Sequence, residues 1–327
     1  MTEPTLDVVA IGNAVVDVIA PTTDAFLAEE GLTKGEMQLI DAGRAVQLYD
    51  RMGPGREVSG GSAANTVAGV AALGGRAAFV GQVADDQLGT VFRHDLTAAG
   101  VQFDTPARPG EPPTGRVLVL VTPEGQRTMN TYLGASHYLP AGAMDEALIG
   151  SASMLYLEGY LWDPEEPRAA MVRAMGAARA AGRRVAFGPS AGFVIARHGG
   201  DFRRLMDEGA IDILFANEEE IAALMGAEVE AALDAAAARV PLVVVTRSER
   251  GATAVRGEER ADVPAEPVAK VVDTTGAGDL FAAGFLLGEV RGRPLAESLR
   301  LGAIAAAEVI GHYGARPEAD LKALAGL

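Results

Sequence analysis

The sequence predicts an α/β protein in which a mostly parallel β-sheet is covered by helices on both faces and a smaller β-sheet forms a lid. Three observations support this class. Short apolar runs rich in β-branched residues alternate with alanine-rich stretches, which is the pattern of strand–helix–strand crossover units. Hydrophobic residues make up 49% of the 327 residues, enough for a large core. Two segments interrupt the alternation and contain short strands of their own.

The alternation gives the elements of the larger sheet in chain order. We predict strands at residues 8–12, 77–80, 154–157, 184–187, 213–216 and 242–246. We predict helices at residues 62–73, 88–99, 167–181, 218–224 and 295–310. Because strands and helices alternate, neighbouring strands should run parallel, and ligands should bind at the carboxyl ends of those strands.

Two segments, 14–58 and 103–134, are predicted to form the lid. The second contains a hairpin, in which the runs 116–121 and 126–132 flank a proline–glycine turn at 123–125. The sequence has no internal repeat and no low-complexity linker. We therefore expect a single domain of 327 residues, with a core built from the remainder of the chain.

Charge and composition exclude several classes of protein. The formal net charge of −16 opposes binding to nucleic acid or to an anionic membrane, because their phosphates demand a basic surface. The chain has no cysteine for a disulfide or a thiolate metal site, and its four histidines are too scattered for a metal-ligand motif. No stretch of about 18 residues is continuously apolar, and the acidic N-terminus is unlike a signal peptide. We expect a soluble cytoplasmic protein without nucleic-acid or membrane partners.

The most informative motif lies near the C-terminal end. Residues 273–279 have the sequence Asp-Thr-Thr-Gly-Ala-Gly-Asp, and an apolar stretch with helical periodicity follows at 280–288. A glycine-rich turn at a helix start presents free backbone N–H groups, and the helix dipole adds positive potential. The motif therefore predicts a phosphate-binding site at the turn that contains Gly276, Ala277 and Gly278.

Asp279 is the last residue of this motif. A carboxylate beside a bound anion is electrostatically unfavourable, so catalysis explains it better than stability does. Such a carboxylate can accept the proton of a hydroxyl that attacks the phosphate. Its position at a helix start favours the charged form. Asp279 is therefore the candidate catalytic base.

A second glycine motif precedes the predicted helix at 62–73. Its sequence is Ser59-Gly60-Gly61-Ser62-Ala63-Ala64-Asn65. Paired glycines let the backbone pass close to a ligand, while Ser62 and Asn65 on the first helical turn offer hydrogen-bonding groups. One interpretation is a substrate site, and the other is a loop that ends in an ordinary helix N-cap.

Other polar residues at predicted strand ends could contact ligands. Asp17 is a carboxylate in an apolar strand and could accept hydrogen bonds from a ribose or polyol, or it could simply face water. Asn217 and Glu220 could organise hydrated Mg²⁺, or they could serve the dipole of the helix that they begin. Thr246 and Gly251 follow a buried strand and could line a nucleotide.

Several nucleotide-binding signatures are missing from the sequence. No lysine follows a glycine, so there is no Walker A loop. The protein-kinase motifs are absent as well, and no GxGxxG follows the first predicted strand. Neither a P-loop enzyme nor a dinucleotide-dependent oxidoreductase is expected.

The two glycine motifs, in this order and about two hundred residues apart, resemble the two signatures of the ribokinase-like, or PfkB, carbohydrate and nucleoside kinases. The resemblance covers nearly the whole chain. It implies a central sheet with a β lid and an ATP-dependent transfer of phosphate to a hydroxymethyl group. It also implies that Asp279 is the base and that the amides of Gly276, Ala277 and Gly278 form the anion hole.

The same resemblance implies roles for the remaining candidates. The residues that would hold the substrate are Asp17, Gly60, Gly61, Ser62, Asn65 and Tyr160. The residues that would bind ATP are Thr246, Gly251, Thr274, Gly276 and Gly278. Mg²⁺ would be supported by Asn217 and Glu220.

Within the family, the sequence is most similar to adenosine kinases and their bacterial relatives. The similarity includes the Gly12-Asn13 pair, the segment 127–135 and the aromatic residues at 159–162, where Tyr160 could stack on adenine or could cap the core. The segment 187–190 departs from the pattern, since relatives often carry an aspartate there. The expected acceptor is the 5′-hydroxyl of adenosine or a related nucleoside.

Two alternatives remain at this point. One is a PfkB-type kinase of a free sugar such as ribose, fructose or a keto-deoxy sugar. The other, from a different class, is a catalytically silent regulator that binds a nucleoside or sugar, whose signature would be a broken base or anion loop. The sequence leaves open a requirement for a monovalent cation, and it is compatible with a monomer or a homodimer.

Overall fold

The structure is a computed structural model that describes residues 3–327, so residues 1 and 2 of the predicted domain lie outside the described part. Within it the strands are β1 (Leu6–Ile11), β2 (Val15–Pro21), β3 (Met37–Leu39), β4 (Arg56–Gly60), β5 (Ala77–Val80), β6 (Val101–Gln102), β7 (Thr114–Val121), β8 (Arg127–Gly134), β9 (Ala152–Glu158), β10 (Arg184–Gly188), β11 (Ile213–Asn217), β12 (Leu242–Thr246), β13 (Ala252–Arg256) and β14 (Glu259–Val263).

The α-helices of the same part are α1 (Asp24–Glu29), α2 (Ala42–Arg51), α3 (Ser62–Ala72), α4 (Gln87–Ala98), α5 (Glu146–Gly150), α6 (Glu165–Ala180), α7 (Gly192–Asp207), α8 (Glu218–Met225), α9 (Val229–Ala237), α10 (Ala277–Val290), α11 (Leu295–Val309) and α12 (Leu321–Leu324). Among residues 3–327, no helix has the length and apolarity that crossing a membrane would require.

The larger sheet has nine strands in the order β14-β13-β12-β11-β10-β9-β1-β5-β6. Its neighbouring strands are parallel except at β13 and β14, which pair antiparallel at one edge. Val8 and Ala10 of β1 belong to one core layer, and Val9 and Ile11 belong to the other. All four side chains are fully buried, so helices cover both faces of the sheet. The predicted fold class is confirmed.

The predicted elements of the larger sheet agree with the observed ones to within about two residues. Strands β6, β13 and β14 and helices α5, α7, α9 and α12 fall outside the predicted set. Helix α7 contains Gly199 and Gly200 in its interior, which weakens the helical pattern because glycine is a poor helix former. The buried residues Phe202, Leu205 and Met206 hold the helix in place through tertiary packing.

The smaller sheet has five strands in the order β3-β8-β7-β2-β4. Strands β7 and β8 form the predicted hairpin, with Val121 paired to Arg127 across the turn. The sheet has a small core of its own, made of Val18, Leu27, Leu32, Leu48, Leu118 and Leu120.

The chain connects the two sheets at the carboxyl edge of the larger one. Residues 12–14 alone separate β1 from β2, so the chain passes from one sheet directly into the other. Gly61 alone separates β4 of the smaller sheet from helix α3, which packs against β1. The smaller sheet therefore lies beside the strand ends at which ligands bind in parallel sheets.

Candidate active site

A cavity of about 330 Å³ lies between the smaller sheet and the carboxyl ends of the larger one. It is lined from both sheets and from the two glycine motifs. The predicted site residues that line it are Asp17, Gly61, Ser62, Asn65, Tyr160, Gly276 and Asp279. The structure thus brings together two motifs that are about two hundred residues apart in the sequence.

Asp17 reaches the cavity from β2 because Gly60 leaves room for its carboxyl group. A Cβ atom at Gly60 would lie 2.6 Å from Asp17 Oδ1, which is closer than real contacts allow. Gly60 itself is not among the residues that line the cavity, so its direct role is to accommodate Asp17. Burial raises the pKa of Asp17 to about 6, although the nearby Arg316 and Arg127 act to lower it.

Gly61 places the first turn of α3 against the glycine motif at the start of α10. Its φ of 100° is in the region that favours glycine, and a Cβ atom would lie 2.2 Å from the carbonyl oxygen of Asn13. No side chain within the described chain caps this helix, which does not fit the alternative of an ordinary N-cap. The turn directs Ser62 and Asn65 toward the start of α10.

Both oxygens of the Asp279 carboxylate accept hydrogen bonds from α3. Ser62 Oγ donates to Oδ1 at 2.6 Å, and Asn65 Nδ2 donates to Oδ2 at 2.9 Å. Burial raises the pKa of Asp279, while these two hydrogen bonds and the charge of Arg316 lower it. The expectation that the helix start favours the charged form is outweighed by burial, so Asp279 is a stronger base than a surface aspartate.

The turn before α10 leaves the start of that helix without a side-chain cap from residues 3–327. Gly276 has a φ of 79° in this turn. The Ala277 amide donates within the turn to the Thr274 carbonyl at 3.2 Å. The prediction of an anion hole therefore rests more on the amides of Gly276 and Gly278 than on that of Ala277.

Asp273 holds this turn to its surroundings. Its Oδ1 accepts from the Thr275 amide at 3.1 Å, and its Oδ2 accepts from the Gly314 amide at 2.8 Å. Arg127, from β8 of the smaller sheet, forms an ion pair with Asp273 and donates to Thr275 Oγ1 at 2.9 Å. Arg127 is 8% exposed and lines the cavity, so it joins the smaller sheet to the glycine turn before α10.

Glu158 is a cavity residue that our sequence analysis missed. It ends β9, and its Oε1 accepts from the backbone amide of Asn13 at 2.7 Å and from Asn13 Nδ2 at 2.9 Å. Its Oε2 accepts from the Ala63 amide at 2.7 Å. Burial raises the pKa of Glu158 to about 7. A carboxylate at the end of a predicted buried strand was a signal that could have identified it.

Two buried amide oxygens, both on residues that line the cavity, have no partner in the described part of the chain. They are Oδ1 of Asn13 and Oδ1 of Asn65, which have no hydrogen-bond donor within residues 3–327. Both side chains are held by carboxylates, Asn13 by Glu158 and Asn65 by Asp279. Buried acceptors of this kind are costly unless a ligand supplies donors, and sugar hydroxyls are suitable donors.

The aromatic residues of the 159–162 segment separate into a cavity residue and a core residue. Tyr160 lines the cavity beside Phe193, with ring centroids 6.1 Å apart and planes inclined by 39°. Trp162 is 1% exposed and packs edge-on against Phe187 and Phe202. Capping of the core is therefore the role of Trp162, while Tyr160 is available to a ligand.

Asn217 and Glu220 form a capping box at the start of α8. Asn217 Oδ1 accepts from the Glu220 amide at 2.8 Å, and Glu220 Oε2 accepts from the Asn217 amide at 3.0 Å. Both residues therefore stabilise the start of the helix that they begin, which agrees with the alternative that they serve this helix. The box uses one oxygen of Glu220, and hydrated Mg²⁺ needs few carboxylates, so the pair also fits that ion. In the described part of the chain, no cluster of three or more acidic or histidine side chains could hold a metal.

Thr246 and Gly251 lie at the end of β12 and in the turn that follows. Gly251 has a φ of 90°, and a Cβ atom there would lie 1.9 Å from the Val263 carbonyl oxygen. The turn therefore packs against the backbone at 263–265. That backbone leads into a second cleft of about 540 Å³, which is lined by Glu266, Pro267, Lys270, Arg300, Ile304 and Glu308.

A glycine turn that opens a helix, a carboxylate beside it and a cavity lined by further carboxylate and amide side chains define a phosphotransferase with an alcohol group as acceptor. The family model described as pfkB family carbohydrate kinase matches residues 6–321. The chain therefore belongs to the pfkB family of carbohydrate kinases.

Individual relatives agree with this assignment. The chain is 49% identical to adenosine kinase from Sinorhizobium meliloti, with a TM-score of 0.93 and coverage of 98% of both chains. It is 45% identical to a probable sugar kinase from Rhizobium etli CFN 42, with a TM-score of 0.94 and coverage of 99% of this chain and 98% of the other. It is 31% identical over 243 residues to a fructokinase of Klebsiella pneumoniae, which is 72% of this chain and 79% of the relative.

These findings confirm an ATP-dependent kinase of the nucleoside and sugar kinase family. The reaction uses ATP, and Mg²⁺ accompanies ATP in kinases. The alternative of a catalytically silent regulator has no support, because the carboxylate and the glycine turn are intact and in contact with the second motif.

Proposed function

We propose that this kinase phosphorylates the 5′-hydroxyl of adenosine. The observation that supports this choice is the two-sided character of the cavity. One side offers polar groups from Asn13, Asp17, Asn65 and Asp279. The other side is apolar and comes mainly from the smaller sheet, through Met37, Leu39, Val117, Val119, Met129 and Leu133. Tyr160 and Phe193 add an aromatic wall.

A nucleoside matches both sides of such a cavity. Its ribose hydroxyls suit the polar side, and the faces of its base suit the apolar and aromatic side. A free sugar carries hydroxyls around the whole ring, and each one left unpaired against an apolar wall costs about 1–3 kcal/mol. The names of the Rhizobium etli and Klebsiella pneumoniae relatives keep a sugar kinase as the second candidate.

In the proposed reaction, Asp279 acts on the hydroxyl that attacks the phosphate. The O–H bond of the acceptor breaks and its proton passes to Asp279. A bond forms between the acceptor oxygen and the γ-phosphorus of ATP, while the bond to the β-phosphate oxygen breaks and ADP leaves. Asp17 and the free oxygens of Asn13 and Asn65 orient the ribose through its hydroxyls. The amides of Gly276 and Gly278 donate to the phosphoryl oxygens.

We further propose that the nucleotide occupies the second cleft, beside Thr246, Gly251 and Thr274. The lining of the cleft starts at Glu266, next in the chain after the 263–265 backbone that Gly251 contacts, and its lining residue Lys270 lies three residues before Asp273 of the phosphate-binding turn. Mg²⁺ would be held through water by Asn217 and Glu220 and would neutralise phosphate charge.

The smaller sheet acts as a lid in this proposal, within one domain that spans the chain. Its side chains form the apolar side of the cavity, and Arg127 bonds it to the phosphate-binding turn. A closed lid excludes water, which would otherwise compete with the acceptor for the phosphoryl group.

A panel of acceptors tests the proposed substrate. The purified enzyme is assayed with ATP and Mg²⁺ against adenosine, cytidine, ribose and fructose, by coupled detection of ADP. We expect kcat/KM for adenosine to exceed that for either free sugar by at least about a hundredfold, the effect of two unpaired hydroxyls. A free sugar that is phosphorylated faster than adenosine would overturn the proposal in favour of a sugar kinase.

A matched pair of variants links that preference to the cavity. Tyr160→Leu removes an aromatic face from the cavity, whereas Tyr49→Leu changes a tyrosine that is 41% exposed and lies outside it. We expect the KM for adenosine to rise about fivefold to tenfold in Tyr160→Leu, because a stacked aromatic contributes about 1 to 1.5 kcal/mol. The Tyr49→Leu enzyme should keep the wild-type KM. Equal values in the two variants would contradict the aromatic wall.

A further inference from the structure

Arg316 lies in the segment after α11 and binds both sides of the Gly60-Gly61 motif. Its Nε donates to the carbonyl oxygen of Ser59 at 3.2 Å, and its Nη2 donates to Ser59 Oγ at 3.0 Å. Its Nη1 donates to the carbonyl oxygen of Ala64 at 2.8 Å. The guanidinium therefore holds the end of β4 and the first turn of α3 at a fixed separation.

The residues just before Arg316 contact the other glycine motif. The Gly314 amide donates to Asp273 Oδ2 at 2.8 Å. Ala315 packs so closely on Gly276 that a Cβ atom at Gly276 would lie 2.5 Å from Ala315 Cβ. The short segment 314–316 thus joins the phosphate-binding turn to the helix that carries Ser62 and Asn65.

The positive charge of Arg316 acts on the carboxylates of the site. It favours the ionised forms of Asp17 and Asp279, and Asp95 behind β4 also interacts with it. Burial lowers the pKa of Arg316 to about 10, which still leaves it charged at neutral pH. The hydrogen bonds of Arg316 go to neutral oxygens of Ser59 and Ala64, so its positive charge is not paired with a single carboxylate.

The other charged and titratable groups near Asp279 come from several elements. Asp17 comes from β2 of the smaller sheet, Tyr156 and Glu158 come from β9, and Tyr160 comes from the segment after it. The negative charge of Asp279 raises the pKa values of both acids, Asp17 and Glu158. Asn65 and Ser62 on α3 stabilise that charge by hydrogen bonds, and Arg316 stabilises it through its positive charge.

We propose that Arg316 is a positioning residue that keeps the catalytic base Asp279 ionised and holds Ser62 and Asn65 against it. This inference rests on the proposed role of Asp279 as the base. Arginine suits the position because its planar fork reaches the Ser59 carbonyl, the Ser59 hydroxyl and the Ala64 carbonyl at once. Glutamine and methionine could supply neither the several N–H donors of the guanidinium nor its positive charge.

The dependence of kcat on pH tests the proposal. Wild type, Arg316→Gln and Arg316→Lys are assayed from pH 5.5 to 9 with saturating ATP, Mg²⁺ and the best acceptor of the panel. At saturating acceptor, kcat reports only the ionisations of the enzyme–substrate complex. The ionisation of Asp17 in the free enzyme therefore affects KM and not kcat. We expect the ratio of kcat at pH 6 to kcat at pH 8.5 to fall in Arg316→Gln, by up to about tenfold, because a base whose pKa is about one unit higher is more protonated at pH 6. Arg316→Lys keeps the charge and should stay within about threefold of the wild-type ratio.

Two results would overturn the inference. One is an Arg316→Gln enzyme whose kcat falls by the same factor at every pH, since that is the effect of lost packing alone. The other is an Arg316→Lys enzyme with the same loss at low pH as Arg316→Gln, since charge would then not matter. If circular dichroism shows that Arg316→Gln does not fold, the lysine variant decides: a wild-type ratio supports the inference and a tenfold fall contradicts it.

The Asp279→Asn enzyme separates this inference from the proposed function. Its residual activity should lack the fall in kcat at low pH that the wild type shows, because the titrating base is gone. If the residual activity keeps that fall, the base has been misassigned and the proposed mechanism fails, whatever Arg316 does. If the fall disappears but Arg316→Gln has a wild-type profile, only the inference about Arg316 fails.

Discussion

Glu158 should make the unfolding free energy of this protein depend on pH. Its side chain is 1% exposed, and burial raises its pKa from 4.5 to about 7. An acid whose pKa is raised on folding stabilises the folded state below its unfolded pKa, and that contribution disappears as the pH rises through the folded pKa. Between pH 5.5 and pH 8 the two pKa values correspond to a loss of about 2 kcal/mol. Stability should therefore be greater at pH 5.5 by that amount from this residue.

The comparison of wild type with Glu158→Gln isolates this contribution. Asp17 and Asp279, whose pKa values are also raised by burial, are present in both proteins, so the part of their pH dependence that does not involve Glu158 cancels in the difference. A glutamine amide opposite the Ala63 or Asn13 amide lowers stability, but it does so equally at both pH values.

Urea unfolding followed by circular dichroism, at pH 5.5 and at pH 8, measures the four free energies. We expect the wild type to lose about 2 kcal/mol more than the variant between pH 5.5 and pH 8. An equal change in the two proteins would refute the argument that burial controls the ionisation of Glu158.

Two further substitutions test the geometry of the site. In Gly276→Ala the new Cβ atom would lie 2.5 Å from Ala315 at a backbone φ of 79°, so kcat should fall at least about tenfold. The control is Gly200→Ala, in which the new Cβ atom meets no neighbouring atom, so this enzyme should keep the wild-type kcat. Ser190→Gly keeps the backbone at a φ of 75° but removes the hydroxyl that accepts from the Gly159 amide at 2.9 Å. Since Ser190 lines the cavity near Tyr160, the KM for the acceptor should then rise about fivefold, while kcat should stay within about twofold of the wild-type value. An unchanged KM would contradict a role of Ser190 in shaping the acceptor site.

The fold could be predicted because local pattern and tertiary structure agree in the core. The buried run 242–246 and the run 77–80 are strands in which every residue is apolar or β-branched, and each lies where it was predicted. Helix α7 could not be predicted in this way. Its interior glycines, Gly199 and Gly200, weaken the local preference, and the packing of Phe202 that stabilises it is visible only in three dimensions.

The site was predicted to the extent that glycine motifs mark it. Asp279, Ser62 and Asn65 belong to such motifs, and the structure joins them by hydrogen bonds. Arg316 follows a loop without periodic pattern, and nothing in its neighbours along the chain indicates that it binds Ser59, 257 positions away. Contacts of that kind depend on where the sheet and helices bring distant segments, which sequence spacing does not encode.

The most direct test of the account is the turnover of Asp279→Asn. Asparagine has nearly the same shape as aspartate, so the cavity and the hydrogen bond from Ser62 can persist while the base is lost. We predict that kcat with saturating acceptor and ATP falls at least about a hundredfold, while the KM for the acceptor changes by less than about fivefold. Turnover close to that of the wild type would contradict the assignment of Asp279 as the catalytic base.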